Sequence, residues 1–248
     1  MNLLASQISS LPPLTTFKVL DIGTGTGCIP LGLIAGLDEW GGAGLSAVGV
    51  DLSMQAVDLA RENVQIQNLS SKIKIAQVDL FSPSFSSDVL AVLPSATREG
   101  DGDRYNLIIS NPPYITRKEF LSLAHSVKDW EDRMALVGEQ FSAGEDRTEE
   151  GEDDGLIFYR RIISLLPSLL ASPTPLIPRS VPSTSFSDAD QATSPATTRG
   201  APCVVLEVGE NQARVVKGLL ENAGYSAEIQ VDQWGIERVV LGYPHRNA

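Results

Sequence analysis

The chain has 248 residues and a formal net charge of −12. That length can carry one sizeable core, and that charge argues against sequence-blind phosphate binding, which needs a basic surface. Two cysteines, Cys28 and Cys203, exclude a disulfide framework and a metal site with ligand spacing, and no apolar run approaches the ~20 residues of a membrane span.

Both cysteines read as small core residues in a reducing compartment. No signal peptide or basic presequence is visible. Much of the acidity lies in Glu145 to Asp154, a solvated loop. At the N-terminus, Leu3, Leu4 and Ile8 share a helix face before the break at Pro12-Pro13. Phe17 to Ile22 predicts the first strand, followed at once by the turn Gly23-Thr24-Gly25-Thr26-Gly27. A helix over Cys28 to Leu37 places Ile29, Leu33, Ile34 and Leu37 on one face, with Pro30 in the first turn. Ala47 to Val50 is a second strand, ending in Asp51. Ser53 caps a helix from Met54 to about Asn68, with Val57, Ala60, Val64 and Ile66 facing inward. Ile73 to Val78 is a third strand, leading to Asp79-Leu80-Phe81.

Residues 82–104 read as a surface insertion with one helical turn around Val89 to Leu93. Tyr105 to Ser110 is an apolar run that predicts a buried parallel strand. It ends at Asn111-Pro112-Pro113-Tyr114, because two prolines cannot continue a strand. Lys118 to Val127 predicts one short helix, and Trp130 to Gly138 leads into an insertion at 139–155. Leu156 to Leu170 has helical spacing at Ile157, Ile162, Leu165, Leu166 and Leu169, shortened or kinked by Pro167. The Ser/Pro-rich stretch 172–202 reads as irregular. Cys203 to Val208 resumes the sheet, and Asn211 to Ala223 is an amphipathic helix with Gly224 as its C-cap. Ala227 to Val231 and Arg238 to Gly242 form a hairpin around Trp234-Gly235. This order gives a single α/β domain over 1–248. Its sheet is doubly wound and mostly parallel, with an antiparallel C-terminal hairpin.

The glycine turn lets backbone approach a ligand, and the following helix points its N–H groups there. A dinucleotide fingerprint would place its third glycine at Cys28, whereas here it falls at Gly27. The tighter turn suits Gly23, Thr24, Gly25, Thr26 and Gly27 to S-adenosylmethionine. Asp51, with Leu52 beside it, can accept ribose hydroxyls; the other reading is a helix-preceding cap. Asp79 can accept from an adenine amino group while Leu80 or Phe81 covers the ring; the other reading is a solvated loop acid.

The Asn-Pro-Pro-Tyr turn suits a planar NH2 group, as in an amide or an adenine. Asn111 can accept one hydrogen through its side-chain oxygen and the Pro112 carbonyl the other. Tyr114 can stack on the flat group, and Pro113 stiffens the cradle. Asn111, Pro112 and Tyr114 are thus the candidate catalytic residues, acting through position and through acceptors that strengthen as the nitrogen gains charge. No histidine lies near this turn in sequence; His125 and His245 read as exposed. Trp40, Trp130 and Trp234 are too scattered for a base-stacking platform, and Trp130 is placed over the site's rim.

The sequence resembles the class I methyltransferases, and more narrowly the release-factor glutamine N5-methyltransferase family. The resemblance rests on Asp21 to Gly27, Gly49 to Ser53, Asn111 to Ile115, Ala135 to Gly138, Asp154 to Leu156, Leu206 to Gly209 and Gly235 to Val240. It implies a seven-stranded sheet and S-adenosylmethionine as cofactor, held by Gly23 to Gly27, Asp51, Leu80 and Asn111. It implies the glutamine of a Gly-Gly-Gln loop in a peptide-chain release factor as substrate, held by Asn111 through Tyr114. A monomer is expected, without direct nucleic-acid binding given the acidic balance and without membrane association given the lack of an apolar span. By family likeness the protein's placement is mitochondrial, with the cytoplasm as alternative. The family's N-terminal helical domain has no counterpart here, so the N-terminus reads as cut. Asp132 stands where the family often has proline. Two other functions remain open: a nucleic-acid adenine-N6 or guanine-N2 methyltransferase, and a non-catalytic S-adenosylmethionine-binding remnant.

Overall fold

The computed structural model describes residues 17–38, 44–93, 104–128, 132–138, 154–171 and 201–244. The N-terminal stretch with Leu3, Leu4 and Ile8, the acidic loop up to residue 153, most of 172–202, Trp40, Trp130 and His245 lie outside those residues.

Apolar, β-branched runs form the strands, and they alternate with amphipathic helices. In chain order the described elements are β1 (Phe17–Ile22), α1 (Cys28–Asp38), β2 (Leu45–Asp51), α2 (Met54–Ile66), β3 (Ile73–Gln77), α3 (Phe85–Val92) and β4 (Leu107–Ser110). There follow α4 (Arg117–Ser122), α5 (His125–Lys128), α6 (Arg133–Leu136), α7 (Ile157–Leu169), β5 (Val204–Glu207), α8 (Ala213–Asn222), β6 (Tyr225–Val231) and β7 (Glu237–Pro244). The seven strands form one sheet in the order β3-β2-β1-β4-β5-β7-β6. Strands β1 to β5 pair in parallel, and β7 pairs antiparallel with both β5 and β6. The expected mixed sheet with an antiparallel C-terminal hairpin is therefore present.

Alternate residues of each inner strand feed opposite faces, as the pleat requires. Leu20, Ile22, Val48, Val50 and Ile108 belong to one buried cluster, with α3, α7 and α8. Phe17, Val19, Leu45, Ala47, Leu107 and Ile109 belong to the other, with Leu33, Ile34 and Val64 from α1 and α2. Central strands covered on both faces explain the continuous apolar runs in their sequence.

Several expectations need correction. The stretch after Phe81 is not merely a surface excursion. α3 spans eight residues and buries Phe85, Val89 and Leu93. The Tyr105 hydroxyl donates to the Val89 carbonyl at 2.6 Å and ties α3 to the strand that follows. The single helix expected over Lys118 to Val127 is two, α4 and α5, with Leu123 extended between them at ψ 153°. Ile66 is 64% exposed, because α2 ends there, past the edge of the core it covers. Cys28 is exposed rather than buried, whereas Cys203 is buried. Helix α7 runs through Pro167 to Leu169. That proline is exposed, and Arg104 donates to the carbonyls of Pro167 and Leu170 at the helix end. Buried α7 residues are Tyr159, Ile162, Ile163, Leu166 and Leu169, while Ile157 and Leu165 are half-buried. No described helix is long and apolar enough to cross a membrane.

Phe85 is fully buried, so Phe85→Ala should lower the unfolding free energy by about 3 kcal/mol or more. Urea denaturation would read this; a loss near zero would mean that α3 does not belong to the core.

Candidate active site

The chain leaves β1 toward β2 and β3 on one side, then returns to place β4 on the other side. Strand order thus reverses beside β1, and such a point opens a crevice at the strands' C-terminal ends. Ile22 and Ser110 are register partners at those ends. The Ser110 hydroxyl donates to the Ile22 carbonyl at 2.7 Å and locks the two ends together. The glycine turn leaves β1 and Asn111 leaves β4 from this locked pair. A side chain at Gly23 would meet the Asn111 carbonyl oxygen at 3.9 Å.

Gly23, Gly25 and Gly27 have φ of 73°, 54° and 78°. Those left-handed angles suit glycine alone among common residues in so tight a turn. Three groups hold its shape. Asp51 Oδ2 accepts from the Gly25 N–H at 2.9 Å. Asn63 of α2 donates to the Thr26 carbonyl at 3.0 Å. Thr24 is buried, and its hydroxyl donates to Asp21 Oδ2 at 2.7 Å. Thr26 is exposed on the turn.

Asp51 ends β2 half-buried, and its Oδ1 accepts from the Ser53 N–H at 2.9 Å. Each carboxylate oxygen spends one acceptor site on backbone and retains capacity for a ligand hydroxyl. Both readings of Asp51 therefore hold together: it props the turn and can still receive a diol. The cap itself is Ser53, whose hydroxyl accepts from the Ala56 N–H at 3.4 Å. Leu52 beside it is 43% exposed.

Beyond β3, Asp79 is exposed, and its Oδ1 accepts from the Phe81 N–H at 2.9 Å. Leu80 is packed into the core. Phe81 is half-buried and meets Phe158 edge-on, with ring centroids 5.2 Å apart. Arg161 of α7 brackets this loop: Nε donates to the Leu80 carbonyl and Nη2 to the Ser82 carbonyl, both at 3.0 Å.

Of the Asn-Pro-Pro-Tyr turn, Asn111 is exposed, Pro112 buried, and Pro113 and Tyr114 half-buried. The chain beyond it is pinned. Ile115 bridges Val137, donating to the Leu136 carbonyl at 3.0 Å and accepting from the Gly138 N–H at 2.9 Å. Thr116 then starts α4 with a capping box to Glu119. Asp132, which stands in place of proline, caps α6 by accepting from the Met134 N–H at 2.9 Å.

The family model for the methyltransferase small domain matches residues 2–127. The chain belongs to that methyltransferase family. It is 31% identical over 153 residues to a release factor glutamine methyltransferase of Chlorobaculum tepidum, covering 62% of this chain and 42% of the relative. It is 29% identical over 225 residues to one of Clostridium acetobutylicum, covering 90% of this chain and 58% of that protein. The chain thus spans about half the length of these relatives. Among solved structures, the delta-N METTL16 MTase domain shares the fold at TM-score 0.51 and 16% identity, covering 97% of this chain and 78% of that one.

S-adenosylmethionine is the cofactor of this methyltransferase fold, and the cleft residues fit it. The fit turns on Asp21, which the sequence places in the first strand and at the head of the glycine motif but to which it assigns no ligand. Asp21 is fully buried, and its Oδ1 has no hydrogen-bond partner. Burial raises its pKa from 3.8 to about 7; the Thr24 hydroxyl opposes this and the charge of Asp51 adds to it. An orphaned carboxylate oxygen at the crevice wants a cation or donor, and the ammonium of the methionine moiety is one. The signal that could have found Asp21 was an acid near the C-terminal end of a mostly apolar, buried strand. Among the described residues no group of three or more metal-ligating side chains gathers.

In the ligand-free methyltransferase, Asp21 holds its proton more tightly folded than unfolded. Its contribution to stability is thus full below its ordinary pKa and falls as pH rises toward 7, at roughly 1.4 kcal/mol per pH unit. Asp21→Asn should therefore gain stability over the wild type from pH 5 to about 7 and stay level above, while binding the donor more weakly. Thermal melts across that range and calorimetry would check it; parallel pH curves would refute the assignment.

Proposed function

We propose that this protein transfers a methyl group from S-adenosylmethionine to the side-chain amide nitrogen of a glutamine in the Gly-Gly-Gln loop of a peptide-chain release factor. The observation that carries the reading is the fixed neighbourhood of the glycine turn and Asn111, joined through Ile22 and Ser110. The names of the relatives from Chlorobaculum tepidum and Clostridium acetobutylicum supply the substrate class.

When bound, the donor supplies a methyl carbon activated by a positive sulfur, which keeps the C–S bonding pair as the carbon passes to nitrogen. The protein's residues act by binding and orienting. Asp51 offers its remaining acceptor sites to the ribose, and Asp21 offers Oδ1 to the ammonium. An amide nitrogen is a weak nucleophile because its lone pair is delocalised. The Asn111 side-chain oxygen and the Pro112 carbonyl each accept one of its two hydrogens, and Tyr114 lies against the flat amide. As nitrogen gains the methyl group it becomes more positive, and both acceptors then bind its hydrogens more strongly than before. That difference between ground and transition state is what lowers the barrier. The surplus proton leaves to solvent after transfer, so no strong base must act first.

A labelled methyl-transfer assay tests this with a purified release factor, RNA and DNA offered side by side. Label should enter only the release factor, at the glutamine of the Gly-Gly-Gln loop. Asn111→Ala should lower turnover about 100-fold or more with the fold intact by circular dichroism. Label confined to nucleic acid, or full activity of the variant, would overturn the reading.

A further inference from the structure

A second set of contacts closes around Tyr114 from behind, and none of it comes from the motif itself. Gln212 stands at the start of α8, five residues past the end of β5. Its Nε2 donates to the Tyr114 carbonyl at 3.0 Å, and the Asp154 carbonyl lies 3.5 Å from the same nitrogen. Its Oε1 accepts from the Gly209 N–H at 3.1 Å. One carboxamide therefore bridges three loops that are distant in sequence.

Two glycines leave room for that bridge. A Cβ at Gly155 would lie 2.2 Å from the Tyr114 carbonyl oxygen and 2.8 Å from Gln212 Nε2. A Cβ at Gly209 would lie 2.7 Å from Tyr114 Cδ2, so the tyrosine ring occupies the space a side chain would take. The ring thus rests on the Gly209 backbone, and Gln212 fixes that backbone and the tyrosine's own carbonyl together. Tyr159 supports the arrangement from below, its buried hydroxyl donating to the Glu207 carbonyl at 3.0 Å.

We infer that Gln212 is a positioning residue that sets the ring of Tyr114 and the path of the Asn111–Tyr114 turn. The inference rests on the reading of that turn as the substrate cradle. A carboxamide suits the task because it presents a donor and an acceptor from one planar group. Gln212→Glu keeps the shape but sets an oxygen against the Tyr114 carbonyl, where a donor stood. None of the contacts of Gln212 reaches Asp21, Asp51 or the glycine turn. Donor binding should therefore be spared.

The test combines three measurements on Gln212→Glu and Gly209→Ala: kcat on the release factor, calorimetric donor affinity, and NMR of tyrosine-labelled protein with the Tyr114 signal assigned from Tyr114→Phe. In both variants kcat should fall about 100-fold while donor affinity stays within about threefold, and the Tyr114 signal should move. Turnover and Tyr114 signal equal to wild type would overturn the inference. So would a loss of donor affinity matching the loss of turnover. Should Gln212→Glu fail to fold, Gly209→Ala decides by the same criteria. If the wild type itself methylates no release factor, the proposed function fails, and the Tyr114 signal alone still decides the role of Gln212.

Discussion

The site depends on one parallel pairing, β1 with β4, finished by the Ser110 hydroxyl on the Ile22 carbonyl. The two turns that define the crevice are hung from those two strand ends. The glycine turn leaves one of them and the Asn-Pro-Pro-Tyr turn leaves the other, so their separation is set by the spacing of neighbouring strands rather than by loop conformation. Buried strands move little, and loops held at both ends inherit that rigidity. On the proposed reading the reaction is at a weak nucleophile, for which positioning is the main resource, and the sheet supplies it.

Each loop around the crevice is then fixed by a side chain from a distant element. Asn63 of α2 holds the glycine turn, Arg161 of α7 holds the loop after β3, and Gln212 before α8 holds the carbonyl of Tyr114. In each case a side-chain donor reaches across to backbone carbonyls of the turn. Asp21 Oδ1, which has no hydrogen-bond partner, and the exposed Asn111 lie at the C-terminal ends of β1 and β4. Side chains from distant elements thus stabilise the frame, while Asp51 both supports the glycine turn and keeps acceptor sites for a ligand.

Strands were readable from sequence because a sheet covered on both faces demands mostly apolar runs, and β1, β2 and β4 have them despite Lys18, Asp21 and Ser46. The strand-end residues were readable for the same reason, since a polar residue that ends such a run must sit at an edge. Elsewhere the pattern was weaker. The apolar pair Phe85 and Val89 is set among serines, so its helical spacing was hidden, and only the contact with Tyr105 shows why the segment is buried. Ile66 has the right period for α2, yet period gives direction and not how far the core extends. Gln212 and Arg161 carry no motif at all. Their roles depend on which loops the fold brings within reach, information that is long-range and absent from any short window of sequence.

The last described strand, β7, is not at the margin of the sheet. It lies between β5 and β6, although both precede it in the chain. During synthesis, β5 and β6 must wait with unpaired backbone edges until β7 emerges and slides between them. Until then β5, and with it the loop carrying Gly209 and Gln212, lacks one neighbour. A nascent chain stalled before Glu237 would display two open strand edges, which is the surface chaperones and aggregating partners recognise.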